Sequence, residues 1–139
     1  MARHCETFEH TADIGLAGRA DSLAGLFEAM GEGLARYLCP ARPRRADRSS
    51  EVDLSAPDVE ALLVDFLSAV NAAVLRGHLL VGKVAVEEIT PTRVRARLTG
   101  TDLDSRRDEI TTEVKAVTYH QLEVRQRDGQ WTARVILDI

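Results

Sequence analysis

Two aspartates and one terminal carboxylate are the groups in this sequence best suited to act together. Asp13 lies in His10-Thr11-Ala12-Asp13-Ile14-Gly15, where a tight corner before Gly15 would hold it on a rigid element. Asp138 is the penultimate residue, and Trp131, Ala133, Val135, Leu137 and Ile139 alternate as one face of a strand running to the last residue. Asp138 then points to the opposite face, one residue from the Ile139 carboxylate. If the two segments meet, Asp13, Asp138 and the Ile139 carboxylate form an all-oxygen cluster. Such donors suit a hard cation, calcium or magnesium ahead of zinc, with waters completing the shell. The competing expectation is plainer: Asp13 caps a turn, Asp138 is a solvated strand end, and nothing local draws them together.

A second concentration of chemical groups is Glu113-Val114-Lys115-Ala116-Val117-Thr118-Tyr119-His120. Lys115, placed just ahead of a strand, could grip a phosphate or a carboxylate. Thr118 and His120, two residues apart, are expected on one face of that strand. The plainer alternative is a strand entry with a solvated lysine. His10, His78 and His120 show no helical zinc-pair spacing, and His4 falls in a terminus expected to be loose. Cys5 and Cys39 stand far apart without a metal-type motif and read as buried thiols. Asp65, inside Leu62-Leu63-Val64-Asp65-Phe66-Leu67, sits off the centre of the apolar stripe and reads as solvated or salt-bridged. Arg42, Arg44, Arg45 and Arg48 could touch RNA or an acidic partner, but the segment lacks stacking aromatics and reads first as a soluble loop. No Gly-rich phosphate loop, nucleophile elbow or paired cysteines argue for an independent enzyme.

The elements that must position these groups are legible from spacing. Cys5 to His10 and Ile14 to Ala20 read as two strands joined at the Asp13 corner. Asp21 or Ser22 caps a helix whose stripe is Leu23, Leu26, Phe27, Met30, Leu34, Tyr37 and Leu38, ending at Pro40. Residues 41–50 form a loop and Glu51 to Ser55 a short strand. Pro57 opens a second helix with Val59, Leu62, Leu63, Phe66, Leu67, Val70 and Val74 on one face, stopped by Gly77. Val81 to Ile89 and Arg93 to Leu98 flank a turn at Thr90-Pro91-Thr92, and Val94, Ala96 and Leu98 alternate with Arg93, Arg95 and Arg97. Thr101 to Glu113 is polar and could hold a helical turn or an irregular crossing. Val117 to Gln126 and Trp131 to Ile139 flank Asp128-Gly129, a strong hairpin signal. Helices and strands in blocks, with antiparallel pairing, make the fold class α+β: residues 1–139 as a single domain, a mainly antiparallel sheet packed with two main helices.

At 139 residues and net charge -4, the chain is large enough for its own core and too acidic for general attraction to polyanions. No apolar run approaches the roughly 20 residues of a membrane span, and no signal-type segment follows Met1, so the expected setting is the cytoplasm with no membrane contact.

Four ordered motifs together resemble the archease family, small accessory proteins of RtcB-type RNA ligases. They are His10-Thr11-Ala12-Asp13-Ile14-Gly15, Leu63-Val64-Asp65-Phe66-Leu67, Lys115-Ala116-Val117-Thr118-Tyr119-His120 and the ending Arg134-Val135-Ile136-Leu137-Asp138-Ile139. The resemblance runs nearly from end to end. It implies an α+β fold and a metal site, calcium by family habit with magnesium or manganese as alternatives, at Asp13, Asp138 and Ile139. It implies a non-catalytic activator of the ligase that promotes guanylylation and multiple turnover in tRNA splicing or RNA repair. RNA is then met only through the ligase, and Lys115, Thr118 and His120 are the expected partner or nucleotide contacts. The alternatives are a chaperone or general RNA-modification helper, and a metal-dependent hydrolase needing His10 as its base. Four positions depart from the family pattern: Glu9 for a frequent aspartate, Phe66 for tryptophan, Gln121 for glycine, and Asp108 where histidine is common.

Overall fold

The structure, a computed structural model, describes residues 2–10, 13–43, 45–104 and 108–139, with Glu9 and His10 by their backbone alone. Its elements run β1 (Arg3–His10), β2 (Asp13–Ala20), α1 (Leu23–Leu38), β3 (Arg48–Ser55), α2 (Val59–Leu75), β4 (Leu79–Thr90), β5 (Arg93–Asp102), β6 (Ala116–Arg127) and β7 (Gln130–Asp138). The strands divide into two antiparallel sheets, sheet A in the order β1-β2-β7-β6 and sheet B in the order β3-β5-β4. The α+β expectation holds, with two sheets in place of one.

Both helices pack against both sheets. That is why α1 is buried well beyond a single stripe: Leu26, Phe27, Met30, Leu34 and Leu38 are fully covered, and the small residues Gly25, Ala29, Gly31 and Gly33 are buried as well. The small residues let strands come close, and a Cβ on Gly33 would overlap the Cys5 side chain. Ser22 is the α1 cap, its Oγ accepting from the Gly25 N–H at 3.0 Å, while Asp21 accepts from the Ala2 N–H at 3.1 Å. The α2 cap is Asp58, which accepts from the Ala61 N–H at 2.8 Å, so Pro57 precedes the cap and does not open the helix.

Sheet B follows its alternation. Val94, Ala96 and Leu98 are fully buried, while Arg93, Arg95 and Arg97 on the wet face pair with Asp53, Glu88 and Glu51. Arg48 belongs to β3 and pairs with Asp102 at 2.8 Å, so that strand begins three residues earlier than Glu51. His4 likewise lies within β1 and pairs with Glu6 at 3.2 Å; the loose terminus expected there is absent, because β1 pairs with β2 from Arg3 onward. Asp128 and Gly129 both adopt positive φ, 53° and 74°, as a tight two-residue hairpin requires.

Edge strand β4 is blunted from an unexpected direction. Glu32 and Glu28 reach out of α1 to accept the N–H groups of Val84 and Val86, at 2.9 and 3.0 Å. Arg3 of β1 bridges the same two carboxylates at 2.9 and 3.1 Å, tying sheet A to sheet B through the helix. Such a seam satisfies edge donors that would otherwise invite strand addition. Glu32→Ala is expected to cost about 1.5–3 kcal/mol, the range for hydrogen bonds to charged groups. Urea unfolding checks this, with Glu32→Gln, which keeps an acceptor oxygen, falling between.

Candidate functional site

The apolar pattern of two strands settles where the carboxylates lie. In the β2–β7 ladder Ile14, Leu16, Gly18 and Ala20 oppose Leu137, Val135, Ala133 and Trp131 on the core side. Leu16, Val135 and Leu137 are fully buried, and a slip of one residue would turn all of them to solvent. The register this imposes sets Asp13 directly opposite Asp138 on the outer face of sheet A. Across the sheet the row reads His10, Asp13, Asp138, Ala116. Residues directly opposite on one face hold their Cβ atoms about 4.5–5.5 Å apart, within reach of one shared cation.

The next row inward is roofed. A Cβ on Gly15 would overlap the ring of Phe8, so the ring rests on bare backbone there, and Arg134 lies over it at 4.4 Å from the centroid. Ile136, opposite Gly15 on this outer face, is only 1% exposed. The carboxylate row is thus bordered by a small apolar and cationic lid. Lys115 flanks the row on its other side: its backbone N–H donates to the Asp138 carbonyl at 2.8 Å, and its side chain is exposed.

Among the described residues, no group of three or more His, Cys, Asp or Glu side chains gathers around one point. A cation here would draw on two aspartates, the Ile139 carboxylate and water, a hard all-oxygen set that fits calcium or magnesium and offers nothing to favour zinc.

Thr118 and His120 do not share an even strand face. The pairing of β6 with β7 jumps from Thr118–Ile136 to Glu123–Arg134, so four residues of β6 stand against one of β7. Within this bulge Gln121 has φ 52°, Tyr119 is 60% exposed and His120 is exposed. The Thr118 hydroxyl donates to the Ile136 carbonyl at 2.9 Å and accepts from the His120 N–H at 3.3 Å, so it holds the bulge in place. This left-handed conformation is one that glycine adopts without strain and a glutamine does not. Gln121→Gly is expected to raise stability by about 0.5–1 kcal/mol, the strain relieved less the added chain entropy. Thermal unfolding reads it.

Other candidates resolve simply. Burial pushes the Cys5 thiol up to about 12, with a partial counter-pull from Arg36, and burial raises Cys39 as well; both are free thiols, and neither is poised as a nucleophile at neutral pH. Asp65 is exposed on α2, the solvated role expected. Asp108 is 2% exposed, and its carboxylate accepts from the Asp104 N–H at 2.9 Å. Thr11, Ala12, Arg44 and the side chain of His10 lie outside the described residues. No helix among those residues is long and apolar enough to cross a membrane.

The Archease protein family (MTH1598/TM1083) matches residues 5–139. Protein archease of Thermococcus gammatolerans is 36% identical over 141 residues, covering 99% of each chain. Protein archease of Pyrococcus furiosus is 34% identical over 143 residues, again 99% of each. The solution structure of Methanobacterium thermoautotrophicum protein 1598 superposes with a TM-score of 0.71 at 27% identity, over 97% of this chain and 98% of that one. An archease of Thermotoga maritima, described as a possible chaperone, has the same fold with a TM-score of 0.63 at 19% identity, over 96% of each chain.

Proposed function

The chain belongs to the Archease protein family, and from that premise we propose that it is a non-catalytic activator of an RtcB-type RNA ligase. In this role it promotes guanylylation of the ligase and its multiple turnover, in tRNA splicing or RNA repair, in the cytoplasm. The observation that carries the reading is the Asp13–Asp138 pairing on one outer face, with Lys115 beside it. Asp13, Asp138 and the Ile139 carboxylate hold a calcium-type ion, for which magnesium or manganese can substitute. The ion neutralises the paired carboxylates and leaves a compact polar surface of defined charge. Lys115 supplies a mobile cation beside that surface, suited to a phosphate or carboxylate at the partner's active centre. The exposed Tyr119 and His120 of the β6 bulge form the adjoining contact, and at this face RNA is met through the ligase.

A chaperone for unrelated proteins needs apolar surface, and among the described residues the exposed large hydrophobics are Tyr119 and Ile139. That favours a specific partner. The test compares single-turnover and multiple-turnover ligation by a cognate RtcB-type ligase with and without this protein. A gain confined to later cycles, lost with Lys115→Ala, is the expected result. Ligation unaffected by the protein overturns the reading, and full stimulation by Lys115→Ala removes that residue from it.

A further inference from the structure

A cleft of about 690 Å³ opens on sheet B, between the last turns of α1, residues 40–43 with 45 and 46, and the β4–β5 pair. Arg36, Arg42, Arg45 and Lys83 line it, against one acid, Glu32. That acid is already engaged by Arg3 and by the Val84 N–H. Arg45 pairs with the exposed Asp47 at 3.4 Å, whereas Arg36, Arg42 and Lys83 form no ion pair among the described residues. The contrast with the adjoining face is sharp, since Arg93, Arg95, Arg97 and Arg48 there are each matched to a carboxylate. In a chain of net charge -4, the cleft collects four cations and leaves three of them without a carboxylate partner among the described residues.

The cleft is preformed by a β-bulge. Val81 pairs with Gly100 and Lys83 with Thr99, so Gly82 is an extra residue in β4. The bulge turns Lys83 outward while Val81 and Val84 on either side stay buried. Pro43 seats on Gly82, where a Cβ would lie 2.6 Å from the proline Cγ. This contact brings the segment carrying Arg42 and Arg45 against the β4 edge, facing Arg36 and Lys83.

We propose that this cleft binds the phosphates of a single-stranded RNA directly, about three or four at a time, without reading its bases. Three of the four cations are arginines, whose planar forks suit phosphate oxygens. The lining contains no aromatic side chain on which a base could stack. An acidic peptide fits less well: strand addition would need the β4 edge, and Glu32 and Glu28 already occupy the N–H groups of Val84 and Val86. A phosphodiester strand needs no backbone partner. The inference does not rest on the ligase reading, because it concerns binding by this chain alone.

Fluorescence anisotropy of a labelled oligouridylate of about 12 nucleotides, titrated with the full chain at several salt concentrations, tests it. Expected are a Kd of about 10–100 μM at low salt and a log–log salt slope near -2 to -3. Arg36→Ala with Arg42→Ala is expected to weaken binding at least about tenfold and to reduce the slope by about 1.4, two contacts at about 0.7 each. Gly82→Ala, which displaces Pro43 without changing charge, weakens binding as well. Arg76→Ala with Arg127→Ala, the same charge loss elsewhere on the surface, leaves Kd within about twofold. Absence of saturable binding, or an equal loss in that last variant, overturns the proposal. Competition by GTP as strong as by unlabelled RNA would assign the cleft to free nucleotides, and stronger competition by polyglutamate would assign it to an acidic peptide; either outcome rejects the RNA assignment. Loss of RNA binding with ligase stimulation intact, or the reverse, separates this inference from the proposed activity.

Discussion

Phe66→Ala is expected to lower the stability of the fold by about 3–5 kcal/mol, the range for emptying an aromatic core site. Phe66 is fully buried in α2, its ring 5.3 Å from that of Phe27 in α1 and tilted by 47°. Gly31 faces it from α1, so close that a Cβ there would sit 3.2 Å from the Phe66 ring edge. The ring therefore fills the junction where the two helices meet between the sheets, and neither helix can collapse into the void without losing its contacts to a sheet. Against a typical total of about 5–15 kcal/mol for a domain, the loss is severe. Urea unfolding followed by far-ultraviolet circular dichroism should show a lowered midpoint with an unchanged slope. Phe66→Leu should retain most of the stability, at a cost below about 1.5 kcal/mol. A parent-like midpoint for Phe66→Ala would mean that this junction does not hold the layers together.

Neutralising the carboxylate pair is expected to reverse its sign of effect with metal. Two like charges directly opposite on one sheet face repel, so the Asp13→Asn, Asp138→Asn double variant should be slightly more stable than the parent in chelator, by a few tenths to about 1 kcal/mol. With calcium at about a hundred times its dissociation constant, a protein that binds it gains about 2.7 kcal/mol, and the double variant gains nothing. For a chain of this size the gain corresponds to a rise of about 10 °C in Tm. Thermal unfolding with and without calcium, on both proteins, reads the crossover directly. A parent whose Tm is indifferent to calcium, magnesium and manganese would remove the metal from the proposed function. A double variant still responding in full would place the ion elsewhere on the molecule. Stimulation of a ligase should follow the same pattern, lost in the double variant and restored by none of the three ions.

The parts of this fold that were readable in advance are those whose cause is local. The alternation of Val94, Ala96 and Leu98 with three arginines is visible within one strand, and Asp128-Gly129 carries its turn in two residues. The bulge at Gln121 left only a faint trace, a glutamine where the resembled pattern often has glycine, and strict period-two spacing led instead to Thr118 and His120 on one face. The second sheet was not legible, because nothing in β3, β4 and β5 says which other strands they refuse to pair with. Glu28 and Glu32 were equally silent, since a glutamate on a helix looks solvated until an edge strand of another sheet stands beside it.

The same division runs through the candidate sites. Asp138 pointing away from the core was already determined by its place between Leu137 and Ile139, and Asp13 by its corner, for side-chain direction along a strand is a property of period alone. That they oppose each other depended on β2 and β7 becoming neighbours 125 positions apart, a pairing selected by burying Leu16 against Val135 and Leu137. The run of arginines after α1 was plain as charge, yet its gathering with Arg36 and Lys83 into one cleft required Pro43 to settle on Gly82. Chemistry and local direction are written residue by residue, whereas juxtaposition belongs to the packing of the whole chain, where the gain from one shared core decides which distant groups meet.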